Sequence, residues 1–293
     1  MKIKIIQDII DLCRRKILFR DLFLYNFYHN KLTEKQMRSV LNLSKKLNKF
    51  KITIDKKTDM LLCNNKNISF YVDPYYPVIA REIFGDNIYE LRDNNLNKNE
   101  KYTVLDIGAN HGYASLYFAE KPWCENVYAF ELVPEIAKYA EDNFKLNKNL
   151  KNKMNLFSFG LGKNNEETFA FSDGRDYAVS LSKECILKTS KNPDLIKKNK
   201  IYIKQTSTVL KKIIKTNNIK NIIIKIDVEG AEYDIMEDIV NNYPELLKKT
   251  IKIFGETHLG FEKFMKILPK NKFKCVWKEE HNNGTCPFEL SRV

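Results

Sequence analysis

Arginine is scarce in this chain. Only 8 of the 50 basic residues are Arg, so lysine carries the net charge of +13. Recognition of base edges and phosphates favours the planar, two-pronged guanidinium. Lys, Asn and Ile are abundant together along the whole length, which reads as a compositional bias rather than a selected basic surface. No specific nucleic-acid partner is therefore expected, although an anionic small molecule is compatible with the charge. The six cysteines, at positions 13, 63, 124, 185, 275 and 286, include no C-x-x-C pair. That excludes the usual zinc and redox motifs and fits a reducing compartment. No run approaches the roughly 20 apolar residues that cross a bilayer. Lys2, Lys4, Asp8, Asp11, Arg14, Arg15 and Lys16 break up any secretory apolar core near the start. A cytoplasmic location without a transmembrane segment is expected.

What is present is ordinary for a globular protein, with 43% hydrophobic and 30% charged residues. The first 50 residues read as helical. Ile3, Ile6, Ile9, Ile10 and Cys13 recur at helical spacing, and Thr33 with Gln36 forms a capping-box pattern. From Phe50 to Val72 the period shortens to that of small strands. Asp93–Glu100 is Asn-rich and polar, which divides the chain into an N-terminal helical and small β segment (1–95) and a larger domain (96–293).

In that larger domain, apolar runs at Val104–Ile107, Val127–Phe130, Leu156–Phe159, Ile222–Ile226 and Ile251–Phe254 alternate with helix-like segments. Short β-branched runs of this kind suit buried parallel strands. Phe273–Trp277 and Cys286–Leu290 flank Asn282-Asn283-Gly284 and read as an antiparallel hairpin. The expected fold is α/β and Rossmann-like, mostly parallel, with a C-terminal hairpin and an insertion around 164–221. Thr168–Phe171 and Ile201–Ile203 are the extra strands expected in that insertion.

Two features point to a nucleoside cofactor. Val104–Ile107 runs into Gly108-Ala109-Asn110-His111-Gly112-Tyr113, where two glycines let the backbone bend and approach a ligand. Asp106 at the strand end is suited to accept from a ligand amino group or to orient the loop. Glu131, followed by Leu132, ends the next strand and is placed to take both hydroxyls of a ribose. The spacing is G-x-x-x-G rather than the dinucleotide G-x-G-x-x-G.

A third feature follows Ile222–Ile226. Asp227-Val228-Glu229-Gly230-Ala231-Glu232 places carboxylates at the strand end where this fold binds substrates. Taken together, Asp106-Ile107-Gly108-Ala109-Asn110-x-Gly112, Ala129-Phe130-Glu131 and Ile224–Glu232 resemble the FkbM family of methyltransferases. Ile83–Glu90 is similar to that family's lead-in to the first strand, and the resemblance spans roughly residues 80–260. It implies a class I methyltransferase fold, S-adenosyl-L-methionine as cofactor, and O-methylation of a sugar or related small molecule. A nucleotide-linked sugar for surface polysaccharide is one such acceptor. The resemblance also implies cofactor contacts from Asp106, Gly108, Ala109, Asn110, Gly112, Tyr113, Glu131 and Leu132. The acid that often precedes the fourth strand in such families is missing from Thr206–Lys211.

Methyl transfer to a hydroxyl requires alignment of the acceptor and removal of one proton. Asp227, Glu229 and His258 are the expected catalytic residues, with Glu256 as a further carboxylate on the same rim. Catechol-type enzymes hold magnesium at these strand ends, and Asp227 with Glu256 could do so here, but their acidic-amide pair after the fifth strand is absent, so no metal ligand is assigned. Asp73-Pro74-Tyr75-Tyr76-Pro77 resembles the Asp-Pro-Pro-Tyr signature of amino-methyltransferases, yet reads better as a Pro-rich turn. Arg175 is suited to an acceptor phosphate. The alternative reading is a nucleic-acid-binding or RNA-modifying methyltransferase-like protein, which would need an Arg and aromatic stripe that the sequence does not display.

Overall fold

The computed structural model describes residues 19–92, 96–97, 99–172, 179–180, 196–281 and 284–293. The expected first helix, Arg175, and part of the Asp93–Glu100 stretch lie outside the described residues. Contacts divide the chain into two units, one ending at Ile88 and one running from Tyr89 to Val293.

In the smaller unit, α1 (Phe19–Tyr28), α2 (Glu34–Lys46) and α3 (Val78–Phe84) accompany an antiparallel sheet of β1 (Lys51–Ile54), β2 (Leu61–Asn64) and β3 (Ser69–Val72). Thr33 caps α2 as the sequence predicts: its side chain accepts the Gln36 N–H, and the Gln36 side chain accepts the Thr33 N–H. Two orphan amides at the helix start are thereby satisfied. Phe50, Phe70 and Phe84 pack ring to ring over this small core. Asp73–Tyr76 is a turn, in which the Asp73 carboxylate accepts the Tyr75 N–H and its carbonyl accepts the Tyr76 N–H.

The larger unit is built on a sheet of β4 (Tyr102–Ile107), β5 (Cys124–Phe130), β6 (Met154–Phe157), β11 (Ile222–Ile226), β12 (Thr250–Thr257), β13 (Phe273–Lys278) and β14 (Cys286–Arg292). Its order is β13-β14-β12-β11-β4-β5-β6, with β12 to β6 parallel and the last hairpin antiparallel. Every residue of β4 and of β11 is buried, because helices cover both faces of a parallel sheet. The linking helices are α4 (Tyr113–Ala119), α5 (Pro134–Leu146), α6 (Thr206–Thr216), α7 (Glu232–Asn242), α8 (Glu245–Lys249) and α9 (Phe261–Ile267).

The structure departs from the sequence reading in the third parallel strand and in the insertion. The third parallel strand starts two residues early and ends at Phe157, and Phe159 joins the connection to a second sheet. That sheet comprises β7 (Gly160–Gly162), β8 (Glu166–Ser172), β9 (Val179–Ser180) and β10 (Lys197–Gln205), in the order β7-β10-β8-β9. The insertion is thus shorter than 164–221 at its far end, since Thr206–Thr216 is an ordinary amphipathic crossover helix burying Leu210, Ile213 and Ile214. Among the described residues no helix is long and apolar enough to cross a membrane.

Candidate active site

In the sheet order, β4 is flanked by β5 on one side and β11 on the other. The chain therefore winds away from β4 in both directions, which opens a crevice beyond the C-terminal strand ends. Three loops meet there. The N–H groups of Gly108 and Ala109 both donate to the Phe130 carbonyl, and the Asp227 N–H donates to the Ile107 carbonyl. Gly108 has φ +83°, and a Cβ there would stand 1.9 Å from the Asp227 carbonyl oxygen. Only glycine permits this close approach of the first loop to the fourth-strand loop.

Asp106 is fully buried at the end of β4. Its carboxylate accepts the Ser115 hydroxyl at 2.5 Å and pairs with Lys225 at 3.3 Å. Lys225, buried within β11, also donates to the Gly108 carbonyl. Burial disfavours its ammonium, but Asp106, Tyr89 and Asp227 together outweigh that and raise its pKa. Of the two roles the sequence allows Asp106, these contacts match the orienting one. Lys225 was visible only as a lysine inside an isoleucine run, an arrangement a buried strand tolerates when the charge is paired.

Glu131 is likewise buried, with Oε2 accepting the Asn110 N–H at 2.8 Å and Oε1 accepting the Val133 N–H at 2.9 Å. Burial raises its pKa, and these two backbone donors oppose the rise. A carboxylate has about four lone-pair sites, so each oxygen keeps acceptor capacity for a ligand diol. Asn110 takes φ +50° at the loop tip, and Gly112 takes φ +77° before α4. Ala109 and Tyr113 are buried, the Tyr113 ring lying edge-on to His111. Leu132, half-buried, packs against a small cluster of Val133, Ile136, Ala170 and Ile201.

The second half of the crevice is a carboxylate rim. Asp227 follows β11, Glu256 lies near the end of the adjacent β12, and His258 comes directly after it. Ile226 pairs with Gly255 in register, so Asp227 and Glu256 emerge side by side. One ligand atom from each of Asp227, Glu256 and His258 lies within 4.8 Å of the other two. Glu229 is exposed at φ +55°, with Oε2 3.4 Å from His258 Nε2. The sequence allowed Glu229 to cap the following helix, but no side chain caps it; Glu232, its first residue, ties down the preceding loop instead. Fully buried, Glu232 accepts the N–H groups of Val228 and Gly230 and binds His258 Nδ1 at 2.8 Å. A carboxylate at the first helical position was the available sequence signal.

Burial alone would lower the His258 pKa, but the Glu232 hydrogen bond and the charges of Glu232, Glu229 and Asp227 push it up to about 9. Burial raises the Asp227 pKa, with Lys225 opposing and Glu256 reinforcing the rise. The segment before the fourth strand, which lacks an acid, is held at its start by α7. Asp238, buried, accepts the Ser207 N–H and the Gln205 side-chain amide.

The first loop, held against Asp227 by Gly108, and the spare acceptor capacity of Glu131 fit a nucleoside. No curated protein sequence matches. Among solved structures, a Streptococcus agalactiae protein of the NADB-Rossmann superfamily is 16% identical, with TM-score 0.37, and the match covers 68% of this chain and 64% of that one. An uncharacterized Listeria monocytogenes protein is 12% identical, with TM-score 0.41 and coverage of 71% and 66%. TrmK of M. capricolum, solved with S-adenosyl-homocysteine, is 12% identical, with TM-score 0.38 and coverage of 71% and 66%. This chain thus spans about two thirds of the length of each. The methyltransferase FkbM domain model matches residues 106–275, from the buried aspartate of the first loop to the terminal hairpin. A match of that extent, on a sheet of this order, places the chain in the FkbM family of S-adenosyl-L-methionine-dependent methyltransferases.

Proposed function

We propose that this protein transfers a methyl group from S-adenosyl-L-methionine to a hydroxyl of a sugar or related polyhydroxylated small molecule. The observation that carries the reading is the rim: Asp227, Glu229, Glu256 and His258 stand at adjacent strand ends, joined by backbone to the cofactor loop. Carboxylates are strong hydrogen-bond acceptors that suit a polyol, and they repel phosphate. An acceptor phosphate, if one is present, lies away from this rim. Bound cofactor supplies an electrophilic methyl group on a sulfonium. Asp227 is the proton acceptor, because its side chain accepts no hydrogen bond from the described residues and its backbone abuts Gly108. The acceptor oxygen bonds the methyl carbon as the carbon–sulfur bond breaks. The bonding pair stays on sulfur and the hydroxyl proton passes to Asp227. His258, tied to Glu232, and the exposed Glu229 beside it orient the acceptor.

Calorimetry with S-adenosyl-homocysteine tests the cofactor half of this reading. Glu131→Ala is expected to weaken binding by about 1–3 kcal/mol, the cost of unpairing charge-assisted hydrogen bonds. Unchanged affinity would mean that Glu131 does not hold the ribose. Methyl transfer to a panel of free and nucleotide-linked sugars tests the acceptor half.

A second reading, methylation of RNA, is favoured by one feature of the insertion. Phe169 and Tyr202 are exposed, with Lys198 3.7 Å from the Phe169 ring centroid and Lys200 5.4 Å from that of Tyr202. Lysine replaces the arginine that such a stripe usually carries, and Lys200 is already paired with Glu167. We expect only weak, salt-sensitive RNA binding. Tight, sequence-selective binding at physiological salt that is lost in Phe169→Ala/Tyr202→Ala would favour RNA as the acceptor.

A further inference from the structure

We infer that the rim holds a divalent cation, ligated by Asp227, Glu256 and His258, and that the cation takes the acceptor through a pair of its oxygens. Geometry is the first support. Ligand atoms around an ion with bonds of about 2.0–2.3 Å stand up to roughly 4.5 Å apart, and one atom from each of these three side chains already lies within 4.8 Å of the others. Two of the ligands follow paired residues of adjacent parallel strands, Ile226 and Gly255. The third follows Glu256 by two residues and so leaves β12 on the same side. The ligand set is therefore fixed by the sheet.

The partners of these groups are the second support. Asp227 and Glu256 are half-buried and face each other, yet neither carboxylate accepts a hydrogen bond from any described residue. Lys225, the nearest ammonium, is engaged by Asp106 and the Gly108 carbonyl. Like charges held together are unfavourable unless a cation joins them, and a metal ion would take that place from the His258 imidazolium, whose ring is neutral when it ligates. Glu232 supplies the third support. It is fully buried and binds His258 Nδ1 at 2.8 Å, which directs Nε2 toward the rim. Metal-bound imidazoles commonly have their second nitrogen fixed by a carboxylate in this manner.

Two carboxylates and one imidazole suit Mn2+ or a similar borderline-hard ion, and three protein ligands leave positions for acceptor oxygens. Vicinal hydroxyls, the commonest oxygen pair of a sugar, are the class of group that fills them. Asp227 ligates through one oxygen and keeps the other for the hydroxyl proton. The acceptor part of this inference rests on the methyl-transfer reading, whereas the cation site stands on the rim alone.

The test is Mn2+ titration of the full, chelator-treated chain with S-adenosyl-homocysteine present, followed by loss of the free-ion paramagnetic resonance signal. One ion per chain is expected. Glu256→Gln should weaken Mn2+ binding at least tenfold while S-adenosyl-homocysteine binding, which reports the fold, stays within twofold. In His258→Gln the nitrogen coupling to bound Mn2+ should disappear. This signature is read from bound ion and does not depend on full stability. Absence of saturable binding, or binding that survives Glu256→Gln with nitrogen coupling intact in His258→Gln, overturns the site. Mn2+ binding in a protein that fails to bind S-adenosyl-homocysteine would instead leave the site standing and remove the methyltransferase reading.

Discussion

Asp227→Asn is expected to lower turnover by ~10²–10⁴-fold, the usual contribution of a positioned proton acceptor, while S-adenosyl-homocysteine affinity changes little. The substitution keeps size and removes charge. It should leave the fold intact, because the Asp227 backbone, not its side chain, joins the fourth-strand loop to Ile107 and Gly108. The matching measurement is His258→Ala. If Asp227 takes the proton, His258→Ala should raise KM for the acceptor more than it lowers kcat. Full turnover in Asp227→Asn on the true acceptor would sink the assignment and leave the cofactor site untouched. Full turnover confined to Asp227→Asn, with collapse in His258→Ala, would move the proton to the imidazole.

Lys225→Met is the second large effect. It leaves the Asp106 carboxylate fully buried with Ser115 as its remaining partner, and the Gly108 carbonyl without its ammonium donor. Breaking a buried ion pair from one side costs about 3–5 kcal/mol. The unfolding transition of the larger unit in urea should shift accordingly. Removing both charges, in Lys225→Met/Asp106→Leu, should recover part of the loss in stability, since no lone charge is then buried. The cofactor loop would still be untied, so S-adenosyl-homocysteine binding should stay weak in the double variant. A shift below about 1 kcal/mol for Lys225→Met would mean that water reaches Asp106 and that the pair is not a structural tie.

Lys252 and Glu289 show that not every buried charge in this sheet belongs to the site. Their pair is 2.9 Å long and completely buried, with Ser291 as a further acceptor for Lys252. It joins β12 to β14, on the side of β12 away from β11, and serves packing of the hairpin. The two pairs look alike in sequence, each a lysine within an isoleucine-rich strand. Only the strand order separates them.

Much of the molecule was legible without coordinates. Short β-branched runs bounded by turns give parallel strands wherever helices cover both faces, and the Ile222–Ile226 run matches β11 residue for residue. Thr33 and Gln36 encode their cap locally, as do Asp73 and the turn it closes. The glycine loop and Glu131 could be read together because each sits at the end of its own strand. What the sequence could not give is whatever depends on neighbours distant in the chain. That β11 lies beside β4 makes Lys225 the partner of Asp106, 119 positions earlier, and makes Gly108 indispensable against Asp227. The role of Glu232 was hidden for the same reason, since His258 reaches it from the next strand. The charge of the rim was hidden too. A chain of net charge +13 presents carboxylates at its candidate acceptor site, because composition averages over the surface while parallel strand ends gather particular side chains into one crevice.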